Sequence, residues 1–302
     1  MKNAKLIIIP LFLCGGFLLL THFTMGLRAE HFAIACLILI LTWAHSKTRR
    51  LMLTLLPLAL FGALYDYLRL IPQDHAGTIQ VFNPYFIEFL FFAFPVNGVW
   101  ILPNDFFRNH HHIILDIYFA IIYSLHIIIP IAFAFYLWLK NDPARYHFGW
   151  ILLIANIFAF LTYVFYPAAP PWYVELYGMR PGDFSIPGSA AALLRVDQFL
   201  GIPYFAGIYG HEAWIFGALP SMHAGIPTLT LLYALRLRLT KISLAALLFL
   251  LSVWSAAIYL RHHYIIDLLL GAAYGLVTFF VFEICPASFI SKRTKTLEKL
   301  RT

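Results

Sequence analysis

Charge is scarce in this sequence: 12% of its 302 residues are Asp, Glu, Lys or Arg, while 62% are hydrophobic. A soluble domain of that size must show water a large polar surface, so the balance excludes an ordinary water-soluble enzyme. Cysteine is nearly missing. Cys14, Cys36 and Cys285 lie far apart, within or at the end of apolar segments, which excludes a disulfide framework and predicts buried thiols. No His-x-x-x-His pair or carboxylate cluster offers the usual zinc spacing, so neither a metal nor any other cofactor is expected. No repeat, low-complexity stretch or soluble domain interrupts the chain. The first apolar run has no small-residue cleavage site before Arg28 and reads as a retained span. A net charge of +7 does not point to nucleic acid, because the basic residues sit between apolar segments.

What the chain does have is long apolar runs. A membrane helix takes about 20 residues, and eight candidates stand at 6–23, 30–46, 50–69, 112–139, 147–166, 217–237, 242–260 and 263–285. The expected fold is all-α, a polytopic transmembrane helix bundle of about eight spans. Basic clusters test that count. Lys2 and Lys5, Lys47 with Arg49 and Arg50, Lys140 with Arg145, Arg236 with Arg238 and Lys241, and the terminal Lys292 to Arg301 all fall on one side when the spans alternate. The positive-inside rule makes that side cytoplasmic. Two long segments, 70–111 and 167–216, fall on the other side. Segment 82–107 is apolar but broken by Asn83, Pro84, Glu88, Pro95, Asn97, Pro103 and Asn104, and reads as an interfacial or re-entrant helix. The division expected is 1–110 for N-terminal spans plus this segment, 111–286 for a catalytic transmembrane domain, and 287–302 for a basic cytoplasmic tail.

The polar residues that remain converge on the non-cytoplasmic side. Asp66 and Arg69 end the third span; Arg180, Arg195 and Asp197 lie in the long loop after the fifth; Pro220-Ser221-Met222-His223 opens the sixth; Arg261, His262, His263 and Asp267 occupy the tight turn between the last two. Ionisable groups in membrane helices are costly and usually functional. His263 and Asp267, four residues apart, share a helical face, where a carboxylate fixes the imidazole tautomer and leaves the far nitrogen free as nucleophile or base. Ser221 suits a helix N-cap, and a helix N-terminus with small residues around it attracts an anion. His223, in that first turn, is placed to protonate a leaving oxygen. Each unit alone also reads as plain structure: a His–Asp pair capping a helix, or a cap with an incidental histidine. Together they supply what phosphoryl transfer needs: a nucleophile, an acid, and positive charge for the equatorial oxygens. The run His110-His111-His112 does not face one way on a helix and is a poor metal site, and His126 reads as a packing residue.

At Pro220-Ser221-Met222-His223 and His263-Tyr264-Ile265-Ile266-Asp267 the chain resembles the type 2 phosphatidic acid phosphatase superfamily, whose signature pairs Pro-Ser-x-His with a later His-x-x-x-Asp. The resemblance implies a six-helix phosphatase-like core, a phosphohistidine formed on His263, orientation by Asp267, proton donation by His223, and no metal. The phosphatase branch carries Ser-Arg where this chain has Ala256 and Ala257, and a lysine where it has Tyr173. The chain resembles more closely the aureobasidin-resistance branch, the inositol phosphorylceramide synthases. The shared features are Pro170-Pro171-Trp172-Tyr173, Arg195-Val196-Asp197, Phe216-Gly217-Ala218 before Pro220, and His262-His263-Tyr264 before Asp267. That branch implies a phospholipid donor, a lipid acceptor, and transfer of inositol phosphate from phosphatidylinositol to ceramide. Ser221, Arg261, His262, Tyr173, Arg195, Asp197, Asp66, Arg69 and Arg180 are the expected phosphate and substrate contacts. The alternative is a lipid phosphate or polyprenyl diphosphate phosphatase with water as acceptor. Short termini favour a bacterial inner membrane with a periplasmic site.

Overall fold

Inside a bilayer every backbone N–H and C=O must find its partner within the chain, so long apolar runs can only become helices. All eight expected runs do so in the computed structural model, which describes residues 2–72 and 76–284. They are α1 (Lys2–Thr24), α2 (Ala29–Ala44) and α3 (Ser46–Tyr67), then α6 (Ile113–Leu139), α7 (Ala144–Phe165), α11 (Met222–Arg236), α12 (Thr240–Tyr259) and α13 (Ile265–Phe279). Shorter elements fill the gaps: α4 (Phe82–Phe92), strands β1 (Phe94–Val96) and β2 (Val99–Ile101), α5 (Pro103–Asn109), α8 (Pro171–Tyr177), α9 (Leu194–Leu200) and α10 (Tyr204–Gly210). Among the described residues, six helices are long and apolar enough to cross a membrane; α2, at 16 residues, and α11, at 15, are shorter. Phe12 and Phe23, on α1, are 78% and 81% exposed, a distribution water would not tolerate and lipid solvates freely. The chain is an integral membrane protein.

The described chain forms two compact units, one from residues up to 70 with 131–153, the other from 71–130 with 154 onward. In the first, α1 packs on α2 and α2 on α3. Cys14 is buried there against the Ala35 carbonyl, whereas Cys36 is exposed among the outward apolar side chains of α2, so burial holds for one of these two thiols. Cys285 and the basic 287–302 tail lie outside the described residues.

In the second unit α11 packs against both α12 and α13. Glycine makes the α11–α13 approach possible: a Cβ at Gly271 would fall 1.8 Å from the Ser221 carbonyl oxygen, and one at Gly275 would fall 2.9 Å from that of Gly225. Backbone therefore meets backbone, the small-residue packing of membrane helices. Segment 82–107 differs from the single helix expected. It is α4, an antiparallel hairpin and α5. Asn97 and Gly98 both take positive φ, 50° and 81°, the Asn-Gly chemistry of a tight two-residue hairpin turn.

Candidate active site

Two helix starts and one turn build the site, all within the second unit. Leu260 to Tyr264 connect α12 to α13, with Arg261 at φ 63°, a left-handed conformation uncommon for a residue with a side chain. Two polar residues of the 82–107 segment hold this turn. Glu88 is 0% exposed, and its two carboxylate oxygens accept the Ile265 and Ile266 N–H groups at 3.0 and 3.1 Å, the free donors of the first turn of α13. Burial, followed by the nearby Asp267, raises its pKa to about 7 against the two backbone donors. Asn104 Nδ2 donates to the Ile258 and His263 carbonyls at 3.0 and 2.9 Å. The sequence presented both residues only as interruptions of an apolar run.

His263 Nδ1 lies 3.0 Å from the Ala218 carbonyl oxygen and 3.6 Å from Asp267 Oδ2. Both neighbours are acceptors, so Nδ1 carries the proton and Nε2 carries the lone pair. Asp267 is 0% exposed; Oδ2 accepts the Tyr264 N–H at 2.8 Å, and Oδ1 has no partner. His263 Nε2 meets His223 Nδ1 at 3.1 Å. The Ser221 N–H donates to the Asp267 carbonyl at 2.9 Å, tying the start of α11 to the first turn of α13. Ser221 stands at the N-cap position of α11, yet its side chain caps nothing, and its buried Oγ has no partner.

Around His223 the structure adds two residues that sequence reading did not assign to the site. Tyr123 stacks on it with ring centres 4.1 Å apart and its hydroxyl 3.3 Å from Nδ1. His126 lies 3.9 Å away, ring centre to ring centre, and its Nδ1 donates to the Tyr123 carbonyl at 2.6 Å. Both sit on α6, about 100 residues before His223, and spacing carries no signal for such a contact.

The other expected contacts are distributed as follows. Arg261 pairs with Glu175, which also takes Arg108 at 3.2 Å, and the buried Nε of Arg261 is unpartnered. His262 is buried beside Tyr123 and Tyr209. Arg195 donates through Nε to Asp116 at 2.9 Å, and Tyr259 donates its hydroxyl to the same oxygen at 2.9 Å. Asp197 caps α10, its oxygens accepting the Phe205 and Ala206 N–H groups at 2.9 and 2.8 Å. Tyr173 is buried and donates to the Pro181 carbonyl at 2.9 Å, while Arg180 is exposed on the same loop. Asp66 and Arg69 pair with each other in the first unit, where Asp66 also takes Arg28 and His31. His110 stacks on Phe106, His111 faces Asp116, and the His112 ring accepts the Ile114 N–H, three directions for three histidines. Ala256 and Ala257 are 0% exposed, which leaves no room for the larger Ser-Arg pair.

Comparison with known proteins adds an independent view. Residues 96–281 match the family model of the PAP2 superfamily, a stretch that takes in His223, His263 and Asp267. Phosphoinositol dihydroceramide synthase of Bacteroides thetaiotaomicron is 38% identical over 270 residues, 88% of each chain. Inositol phosphorylceramide synthase of Candida albicans is 32% identical over 190 residues, 61% of this chain and 39% of that one. The catalytic subunit of the Saccharomyces cerevisiae inositol phosphorylceramide synthase is 34% identical over 124 residues, 41% of this chain and 31% of the yeast one. No solved structure matches.

Proposed function

The chain belongs to the PAP2 superfamily, and from that premise we propose that it transfers inositol phosphate from phosphatidylinositol to a hydroxyl of a ceramide-class lipid. One observation carries the chemistry: His263 has its Nδ1 proton committed to Ala218 and Asp267, and its Nε2 lone pair faces His223 at 3.1 Å. A nucleophile and an acid–base group this close together can both reach one phosphorus.

In the first step His263 Nε2 attacks the phosphorus, the bond to the diacylglycerol oxygen breaks, and His223 gives that oxygen its proton. Asp267 stabilises the positive charge that develops on the His263 ring. In the second step the acceptor hydroxyl attacks the phosphohistidine, His223 takes the hydroxyl proton, and the N–P bond breaks to restore His263. Arg261 supplies positive charge near the turn, and the unpartnered Ser221 Oγ offers a donor to a phosphate oxygen. Trp172, Tyr173 and Phe216 belong to a buried apolar cluster, and the Trp172 backbone N–H donates to the Arg261 carbonyl beside the catalytic turn; apolar packing there would favour transfer over hydrolysis by limiting water.

The site belongs on the non-cytoplasmic face, the periplasmic side of a bacterial inner membrane. In support, His223 and His263 mark one end of the α11–α12 pair, and Arg236, Arg238 and Lys241 mark the other. The test is purified full-length protein in vesicles with labelled phosphatidylinositol, with and without ceramide. Inositol phosphorylceramide and diacylglycerol are expected only when both lipids are present. Release of free phosphate from phosphatidic acid, with no head-group transfer, would remove the synthase reading.

A further inference from the structure

His262 precedes the nucleophile in sequence, and its free ring nitrogen suits a hydrogen-bond donor better than a phosphate oxygen. Its ring stacks with Tyr209, at 4.7 Å, and with Tyr123, at 5.2 Å; Tyr123 and Tyr209 hydrogen-bond each other, and Tyr123 also stacks with His223 at 4.1 Å. The residue is 5% exposed. One ring nitrogen hydrogen-bonds the Ala190 backbone; the other, Nε2, is enclosed and has no partner. Burial first, then the neighbouring His263 and Arg261, push its pKa down to about 3, so the imidazole is neutral at physiological pH. A neutral imidazole that has given its N–H to a carbonyl keeps a bare lone pair on the second nitrogen. Phosphate oxygens are acceptors and cannot satisfy it; only a donor can. Buried acceptors without a partner are rare because they cost folding free energy, and this one lies one ring away from the acid–base histidine.

We propose that His262 Nε2 accepts a hydrogen bond from a substrate hydroxyl, which makes it the residue that reads the hydroxylated part of the substrate while His223 and His263 handle the phosphate. This rests on the transferase reading above. Two substrates bring hydroxyls to the site, the polyol head group of the donor and the lipid acceptor. The parallel stack, 19° between His262 and Tyr123 and 9° between Tyr123 and His223, holds the hydroxyl-reading ring at a fixed offset from the acid–base ring. A hydroxyl bound there is thereby indexed against the reacting phosphorus.

The test uses the full chain in phosphatidylcholine vesicles. His262→Phe keeps an aromatic ring against the two tyrosines and removes the acceptor. KM is measured separately for phosphatidylinositol and for ceramide, with the thermal midpoint as a check on folding. A rise of about tenfold for phosphatidylinositol alone assigns the hydroxyl to the head group, and the same rise for ceramide alone assigns it to the acceptor. A folded variant with both KM values unmoved overturns the proposal. A second arm needs no variant: wild-type protein is offered phosphatidylinositols lacking single ring hydroxyls, and ceramide lacking its secondary hydroxyl. One analogue should lose about tenfold in kcat/KM, the scale of one unpaired buried acceptor. Uniform use of all analogues, with KM values unmoved in His262→Phe, sinks this inference and leaves the synthase reading standing. Wild-type protein that transfers nothing overturns both.

Discussion

Two polar clusters in this chain set a histidine beside an aspartate in a helix, and they end in opposite states. In the first unit, Asp66 receives Arg28, His31 at 3.2 Å and Arg69 at 2.7 Å, so that both of its oxygens are neutralised. In the second, Asp267 has one oxygen on the Tyr264 N–H and the other on nothing, and Ser221 Oγ, His262 Nε2 and Arg261 Nε are buried without partners close by. A saturated cluster has finished its work when the chain folds. An unsaturated one carries a folding cost that only a ligand can repay, and such groups mark functional sites. Residue types alone could not separate the two, since both offered histidine, aspartate and arginine at helix ends.

The sharpest way to break this contrast is His263→Ala. Loss of the proposed nucleophile should lower inositol phosphorylceramide formation by at least about 1,000-fold, measured by lipid product analysis, with the thermal midpoint little changed. Full activity would put the nucleophile elsewhere. On the saturated side, Asp66→Asn should do the reverse. Leaving Arg28, His31 and Arg69 without their shared carboxylate should cost about 2 kcal/mol of stability, read from thermal or denaturant unfolding, while kcat per folded molecule stays within about twofold. A large kcat defect in folded protein would return Asp66 to the substrate contacts.

Glu88→Gln probes the boundary between the two kinds of cluster, because Glu88 is fully paired yet serves the site. Its ionised form accepts both N–H groups that open α13, and Gln offers one oxygen. A fall in kcat of about five- to tenfold is expected, the scale of a lost helix cap. The pH dependence gives a sign that steric damage would not. Below a pKa of about 7 wild-type Glu88 takes up a proton and loses an acceptor, so wild-type kcat should drop as pH falls through 7 and the Gln variant should be flat there. Stability runs the other way. A carboxyl raised from 4.5 to about 7 contributes stability that is complete below pH 4.5 and is lost as pH rises through 7, so the wild-type midpoint should lose ground against Gln over that window. Parallel trends in activity and stability would break the assignment.

The spans, their order and the His263–Asp267 pairing were legible because each rests on local spacing, an apolar run for a helix and four residues for a shared face, while the approach of His223 to His263, 40 residues apart, followed from placing both at one end of the spans. Glu88, Asn104, Tyr123 and His126 were not legible, because they reach the site from about 100 residues away or farther, as the Glu88–Ile265 separation of 177 illustrates. The hairpin at Asn97-Gly98 was legible and was passed over, since an apolar segment invited a helical reading and the turn signal inside it counted only as a break. Asp197 shows the converse: its Arg-x-Asp setting gave no sign that its oxygens also cap α10.

The smallest expected effect decides most finely between the two kinds of cluster. Ser221→Ala removes a buried hydroxyl that makes no hydrogen bond and caps no helix. If that hydroxyl were structural, its loss would destabilise the protein by about 1 kcal/mol, as removal of an N-cap does. An unpaired buried hydroxyl is instead a cost, and its removal should leave stability unchanged or raise it by up to about 1 kcal/mol. Phosphate binding should then weaken, with KM for phosphatidylinositol rising about fivefold. The informative result is the combination, a variant at least as stable and a poorer enzyme, because a group kept at the expense of the fold is explained only by what it does when substrate is present. A less stable Ser221→Ala with unchanged KM would move Ser221 to the side of Asp66, and unsatisfied atoms would cease to mark this site.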